Sequence, residues 1–317
     1  MMKYAGIITG PNGQDGKYLF SFLQGRGYNV CKYQGDVLDK ERLKDVIKQY
    51  SDADRIEIYN LAAKVNVGIS IPNPIETFHV NSIGILTILE SVRELELVNK
   101  CRIFQASSSE IFDKACPEPG MINYQNEKSI KDPQTVYGIS KLAADNIVKM
   151  YRQVHGIHVS SGILFNHESP FRKDNFVTSK IIKGLKRIYK GEIDYIELGN
   201  INAYKDWGHA KDYVYAMWLI LQNENADDYV IATGKHNSVR TFIETTLDVM
   251  CKKIKWKGEN ENEIGIVDGK TIIKISKKFY RPNDDKIIIG NPYKLKEKTG
   301  WEPVHNLRKL IIDMLRH

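Results

Sequence analysis

Thr9-Gly10-Pro11-Asn12-Gly13-Gln14-Asp15-Gly16 is the stretch whose reading decides the fold. An apolar run, Tyr4 to Thr9, precedes it, and Tyr18, Leu19, Phe22 and Leu23 follow at helical spacing. A strand, a glycine loop and a helix in that order form a dinucleotide-binding arrangement. The glycines permit a tight turn and a close backbone approach, and the helix N-terminus faces a pyrophosphate.

Outward from this loop, strands and helices alternate. Tyr28 to Gln34 reads as a second strand, Lys40 to Tyr50 as a charged amphipathic helix and Ile56 to Leu61 as a third strand. A long helix is expected from Ile75 to Leu95, entered through Pro72 and Pro74. A strand then ends at Ser107, Asp113 to Pro133 reads as a loop, and Val136 to Tyr151 reads as a helix. Val159 to Phe165 is the next strand. The pattern predicts an α/β fold: a Rossmann-type doubly wound parallel sheet, with a smaller mixed α/β domain at the C-terminal end. The expected boundaries are 1–165 for the dinucleotide-binding domain, with 206–235 returning to it, and 166–317 for a substrate domain. Within the latter, Phe176 to Tyr189 and Ala210 to Leu221 read as helices, and Tyr195 to Leu198 and Tyr229 to Ala232 as strands. Gly258 to Gly269 reads as its most polar and mobile part.

At 317 residues the chain is long enough for a large core, and 42% hydrophobic with 27% charged residues is a globular composition. No apolar run approaches the roughly 18–20 residues of a membrane span. The N-terminal residues run directly into a strand, so a cytoplasmic protein is expected. Cys31, Cys101, Cys116 and Cys251 have no paired spacing, which argues against a zinc site or a disulfide framework. The net charge of +7 is compatible with a phosphate-bearing ligand, and because the basic residues are spread along the chain they read as a solvated surface rather than a nucleic-acid patch. Its densest cluster, Lys252 to Lys257, reads as a helix end entering a loop.

Two further stretches carry chemistry. Tyr137-Gly-Ile-Ser-Lys141 places a phenol and an ammonium one helical turn apart. A neighbouring ammonium favours phenolate, so the Tyr137 pKa is expected to fall toward a range useful for proton transfer. In Gln105-Ala-Ser-Ser-Ser-Glu110, Ser108 and Glu110 are two residues apart and would point the same way in an extended chain. A base, a hydroxyl and a carboxylate are thus expected to converge on one small substrate.

The chain resembles the GDP-mannose 4,6-dehydratase family, of the extended short-chain dehydrogenase/reductase type. The resemblance rests on Gly10-x-x-Gly13-Gln-Asp-Gly16, Tyr59-Asn-Leu-Ala-Ala63, Gln105 to Glu110 and Tyr137-x-x-x-Lys141. It continues through Gly162 to Pro170, Phe176-Val-Thr178, Lys205 to Tyr213, Tyr229 to Gly234, Arg281-Pro282 and Gly300-Trp301, in the family's order. The resemblance implies a lyase of nucleotide-sugar metabolism, on the route to GDP-fucose, that dehydrates GDP-mannose. Tyr137 would take the O4 proton while C4 gives up hydride, Lys141 would hold the nicotinamide ribose, and Ser108, where the family has Thr, would bond O4. Glu110 would remove the C5 proton and protonate the departing C6 hydroxyl. The implied cofactor contacts are Gly10, Asn12, Gly13, Gln14, Asp15, Gly16, Asp36, Val37, Leu61, Ala62, Ala63, Tyr137, Lys141, Leu164 and His167. The implied substrate contacts are Ser108, Glu110, Asn166, Val177, Lys180, Lys205 and Arg281. Lys205 stands where the family has Arg and loses the bidentate fork. His209 reads as a hydrogen-bonder at a helix start.

The chain departs from the family between Tyr28 and Asp39, where two elements are fused into one and the arginines for the NADP 2′-phosphate are missing. NADP is the cofactor the resemblance implies, and NAD is the alternative. Asp36, 20 residues after Gly16, serves either a ribose 2′-hydroxyl or adenine. That segment also helps to build the family's tetramer, which leaves a tetramer open, whereas the resemblance implies a homodimer paired through the Tyr137 helix. Ala62-Ala-Lys-Val65 resembles GDP-fucose synthase, an epimerase/reductase, which is the rival enzyme reading. A non-catalytic nucleotide-sugar or NADP(H)-binding protein is the rival of another class.

Overall fold

The computed structural model describes residues 3–65, 71–113, 122–279 and 287–317. Six strands form the main sheet: β1 (Tyr4–Thr9), β2 (Asn29–Tyr33), β3 (Arg55–Asn60), β4 (Cys101–Ala106), β5 (His158–Leu164) and β6 (Tyr229–Ile231). All pair in parallel, in the order β6-β5-β4-β3-β1-β2. The order reverses at β1, so the switch point lies between β1 and β3, where open α/β sheets bind ligands at their carboxyl ends. The fused segment read in the sequence is β2, the single strand beyond β1 and the edge of the sheet.

Helices cover both faces. Helices α1 (Gln14–Gly25), α2 (Lys40–Lys48), α3 (Pro74–Glu94), α4 (Val136–His155), α5 (Val177–Tyr189), α6 (Ala210–Gln222), α7 (Val239–Val249), α8 (Tyr293–Thr299) and α9 (Leu307–Arg316) follow in chain order. Leu43 and Ile47 of α2, Ile85, Ile88 and Leu89 of α3, and Ala144 and Val148 of α4 are buried with Ile7, Ile58 and Ile103. On the other face, Leu19 and Leu23 of α1 pack with Tyr213, Met217 and Ile220 of α6 and with Trp301. The helix starts are encoded locally. Asp39 caps α2 through the Arg42 amide, Thr135 caps α4 through the Gly138 amide, and Ser238 caps α7 through the Thr241 amide. His209 caps α6 by accepting from the Lys211 amide at 3.0 Å, the helix-start role expected of it.

A second core is built on α5, α7 and α9, with Ile181, Leu185, Phe242, Leu247 and Ile311 at its centre. It packs on a mixed four-stranded sheet in the order Lys255–Lys257, Ile264–Val267, Lys270–Ile275 and Ile196–Leu198. Three expectations are corrected here. Lys255–Lys257 is an edge strand and not a loop, because it pairs with Ile264–Val267. Gly258 to Gly269, read as polar and mobile, contains that partner strand, whose alternate residues Gly265 and Val267 face the core. Asp113 to Pro133, read wholly as a loop, contains the strand Ile122–Gln125, which pairs in parallel with Ile287–Gly290. Both pairings are tertiary contacts, one across residues 258–263 and one between segments far apart in the chain, which local composition does not report.

Helix α3 also departs from an even helix. Its middle, His79–Ile83, is a π-helical turn between Pro74–Phe78 and Gly84–Glu94. Such turns insert a residue and re-aim the side chains around it.

Candidate active site

The glycine loop lies at the switch point. Gly10 has φ +65°, and a Cβ there would stand 2.9 Å from the Ala62 amide nitrogen and the Leu61 carbonyl. A Cβ on Gly16 would stand 2.6 Å from Gly10 O and 2.7 Å from Pro11 Cα. The loop is therefore folded tightly onto the end of β3 and onto the first turn of α1. Gly13 opens α1 with no side-chain cap, so the first amides of the helix stay available to an anion. These residues fit a dinucleotide pyrophosphate. Beneath the loop, Thr9 Oγ1 donates to Asn60 Oδ1 (2.7 Å) and accepts from the Ala62 amide (3.2 Å), while Asn60 Nδ2 donates to Gln105 Oε1 (2.7 Å). This chain of bonds ties together the carboxyl ends of β1, β3 and β4.

The side chains of the loop are engaged from the far side. Gln14 Nε2 donates to the His167 carbonyl at 2.9 Å, and Ser169 Oγ donates to Gln14 Oε1 at 2.7 Å. His167 Nε2 lies 2.9 Å from Asp15 Oδ2, its Nδ1 lies 2.8 Å from the Phe165 carbonyl, and the ring stacks on Tyr213. Burial opposes charge on both partners. The mutual attraction outweighs it, so the His167 pKa is raised and the Asp15 pKa is lowered. Asn12 is exposed at the loop tip. Asp36 is exposed too, with Oδ1 accepting from the Leu38 amide at 3.0 Å. Val37 is buried against Gly84 of α3. Lys32, on β2, holds its ammonium 3.6 Å from the centre of the Phe20 ring.

Ser108, Glu110, Tyr137 and Lys141 come together where β4 meets α4. The chain stays extended through Ser108 (φ −154°, ψ 147°) but not on to Glu110, contrary to the sequence reading. Residues Ser109–Ile111 form a 3-10 turn, and Ser108 caps it by accepting from the Glu110 amide at 3.3 Å. The Ser108 hydroxyl and the Glu110 carboxylate both lie close enough to act on the Tyr137 phenol. The absence of a side chain at Gly138 lets α4 approach the Glu110 carbonyl and Pro133. Lys141 is 2% exposed, donates to the Ala106 carbonyl at 2.8 Å, and stands 5.9 Å from the Tyr137 ring centre.

The expected fall in the Tyr137 pKa is not found. Burial pushes the phenol up to about 12, Glu110 adds to this, and only the Ser108 hydroxyl and Arg172 pull the other way. Burial also brings Lys141 down to about 8, with Asp145 acting in the opposite sense. Sequence spacing shows which groups are neighbours but not how dry their surroundings are.

The substrate-side residues sit on separate elements. The Asn166 carbonyl accepts from the Gly208 amide at 2.9 Å. Leu164 is the last residue of β5 and Val177 the first of α5. Lys180 is half-buried with its ammonium 3.7 Å from the Phe279 ring centre. Lys205 lies on the short strand Tyr204–Lys205, paired with Asn237–Ser238. Arg281 lies outside the described residues.

Two residues escaped the sequence reading. Arg172 sits 3.0 Å from Glu168 Oε2, out of line for a hydrogen bond, and 3.5 Å over the Phe176 ring. Its charge reaches Asp15, His167 and Tyr137. It follows the quoted Gly162 to Pro170 stretch by two residues, and an arginine that close to it was the available signal. Asn81 lies in the π-turn of α3. It accepts from the Lys64 amide at 2.9 Å and donates to Ser140 Oγ at 3.0 Å, joining the loop after β3 to α4. An Asn in an apolar helical run was the trace it left.

Comparison with known proteins places this arrangement. A family model described as GDP-mannose 4,6 dehydratase matches residues 31–314. The GDP-mannose 4,6 dehydratase of Homo sapiens is 37% identical over 98% of this chain and 90% of its own length. That of Sordaria araneosa is also 37% identical over 98% of this chain, which spans 60% of its length. Among solved structures, RMD from Pseudomonas aeruginosa complexed with NADPH superposes with a TM-score of 0.82 at 21% identity, covering 98% of each chain. A UDP-glucose 4-epimerase from Thermotoga maritima gives 0.78 at 19%, covering 98% of this chain and 97% of its own. The structural likenesses speak for the fold.

Proposed function

This chain belongs to the GDP-mannose 4,6-dehydratase family, and from that premise we propose that it dehydrates GDP-D-mannose to GDP-4-dehydro-6-deoxy-D-mannose. The observation that carries the reading is the meeting of Ser108, Glu110, Tyr137 and Lys141 at the mouth of a dinucleotide cradle. Tyr137 takes the proton of the sugar O4 hydroxyl, and Ser108 hydrogen-bonds the same oxygen. Burial holds the phenol protonated in the free site, so Tyr137 must first lose that proton to solvent to act as the base, and the neighbouring Ser108 hydroxyl and the Arg172 charge are what favour the phenolate. A ketone at C4 acidifies the C5 proton. Glu110 removes it and delivers a proton to the C6 hydroxyl, which leaves as water. When bound, a nicotinamide dinucleotide supplies the hydride exchange, accepting from C4 and returning to C6.

An acid/base at position 110 is what separates an elimination from a plain reduction, and this favours the dehydratase over the GDP-fucose synthase-like reading. NADP is the proposed dinucleotide, held by the Gly10, Gly13 and Gly16 backbone, Asp36, Val37, Leu61 to Ala63, Lys141 and His167. The edge position of β2 and the short turn to Asp36 favour NAD as the alternative. Asn166, Val177, Lys180, Lys205 and Arg281 are proposed to hold the GDP-sugar. Pairing of two copies through α4 is supported by Ile139, Met150 and Val154, exposed along one stripe of that helix. Among the described residues no helix is long and apolar enough to cross a membrane.

The test is incubation with GDP-mannose and each dinucleotide, followed by product identification. A 4-keto-6-deoxy sugar formed without net consumption of reduced cofactor supports the reading. Stoichiometric consumption would replace it with a reductase. Binding of both ligands without product or solvent-deuterium entry at C5 would replace it with a sensor.

A further inference from the structure

The face of α4 that carries Tyr137 and Lys141 continues one turn on to Asp145, to which the mechanism above gives no role. Asp145 is 4% exposed. Its carboxylate accepts from Ser107 Oγ at 2.6 Å and from Ser161 Oγ at 2.8 Å. Ser107 immediately precedes Ser108 at the end of β4, and Ser161 lies in β5. One carboxylate therefore fastens α4 to both strands that border the site. Lys141 is four residues earlier on the same helix face, and the neutral Ala106 carbonyl is its hydrogen-bond partner. A buried ammonium is costly without an opposing charge nearby.

We propose that Asp145 is a positioning residue of the reaction, locking the Ser107–Ser108 turn against α4 and supplying the counter-charge that keeps Lys141 an ammonium beside Tyr137. This rests on the roles proposed above for Tyr137 and Lys141. The groups facing Asp145 are Ser107 from β4, Ser161 from β5, Lys141 on its own helix, Asp228 ahead of β6 and Lys131 from the loop before α4. Asp228 is itself paired with Arg152 at 2.5 Å, which blunts its repulsion. Burial pushes Asp145 up to about 6 and brings Lys141 down to about 8, so both are charged across the neutral range.

Asp145→Asn keeps the shape and removes the charge. Loss of an adjacent opposite charge lowers an ammonium by about 1 unit or more, which takes Lys141 from about 8 to about 7. The turnover number for keto-sugar formation is then expected to fall about fivefold at pH 8 and to return to within about twofold at pH 6, with KM for GDP-mannose unmoved. Asp145→Glu should restore the rate at pH 8. Ser161→Ala loosens the clamp but leaves the charge, and should not change the shape of the pH profile. A loss equal at all pH values would overturn the proposal in favour of a purely structural role.

A second measurement does not depend on turnover. In 13C-lysine-labelled protein, with the signal assigned by Lys141→Met, the Lys141 resonance should respond near pH 6 as Asp145 titrates. Its own midpoint should move down in Asp145→Asn. A Lys141 signal blind to Asp145 would refute the pairing, even in wild type if the variant does not fold. Absence of keto product from wild type would instead count against the functional reading and leave this titration to decide on Asp145.

Discussion

Replacing Gly16 with alanine tests the dinucleotide cradle most directly. The new Cβ would lie 2.6 Å from Gly10 O, 2.7 Å from Pro11 Cα and 2.8 Å from Pro11 C. All three are backbone atoms, so no side chain can swing away, and the loop must shift by more than half an ångström to reach ordinary contact. Overpacking of this kind costs about 1–3 kcal/mol. Alanine recovers about 1 kcal/mol in helix propensity, because Gly16 lies in the first turn of α1. Net destabilisation should therefore stay below about 2 kcal/mol, and the protein should fold. Binding should suffer far more. Displacing the loop misdirects the amides that would grip a pyrophosphate, and one charged hydrogen bond is worth about 1.5–3 kcal/mol. At about 1.4 kcal/mol per tenfold, the dinucleotide Kd should rise about tenfold to a hundredfold. Calorimetric titration with NADP and NAD, alongside urea unfolding, measures both effects. Gly25→Ala, at the far end of the same helix with nothing within 4 Å of its Cβ, is the control and should leave binding unchanged. A Gly16→Ala protein that binds dinucleotide within twofold of wild type would show that the loop does not hold it.

Tyr137→Phe should reduce keto-sugar formation by at least about a hundredfold while leaving GDP-mannose binding nearly intact; turnover near the wild-type rate would remove the phenol from the reaction. Glu110→Gln should still show transient reduced nicotinamide on mixing with GDP-mannose but release no 6-deoxy product, and normal product formation would exclude Glu110 as the acid/base. His209→Asn concerns stability. Burial, and His305 after it, hold the His209 pKa down to about 4, below its unfolded 6.5. The unfolded chain thus binds more protons between these values, and stability present above pH 6.5 is lost as pH falls toward 4. Asparagine can accept from the Lys211 amide but does not titrate. The stability gap between wild type and variant should therefore narrow, by on the order of 2 kcal/mol, between pH 7 and pH 4.5 in urea titrations. A gap independent of pH would contradict the buried neutral imidazole.

What the sequence determined by itself is what depends on neighbours along the chain. Alternation of apolar runs with amphipathic helices, and a glycine loop between the first strand and helix, are local patterns, and they suffice for a parallel sheet with a dinucleotide cradle. Tyr137 and Lys141 were legible as a pair because helical periodicity sets which residues share a face. The cap formed by His209 was legible for the same reason. The tertiary structure alone decided the rest. Where Glu110 sits relative to Ser108 and Tyr137 was set only once the chain after Ser108 curled into a 3-10 turn against α4. The π-turn that points Asn81 at Lys64 and Ser140, and the strand pairing of Ile122–Gln125 with Ile287–Gly290, join segments that are distant in the chain. The ionisation of the site was illegible for a related reason. Proximity of Lys141 argued for an easily ionised phenol, whereas the pKa depends on how much water the folded protein removes around Tyr137, Lys141 and Asp145 together. Desolvation is a property of the surrounding volume, filled here by β4, β5, α4 and the 165–178 segment at once, and no spacing along one strand or helix encodes it.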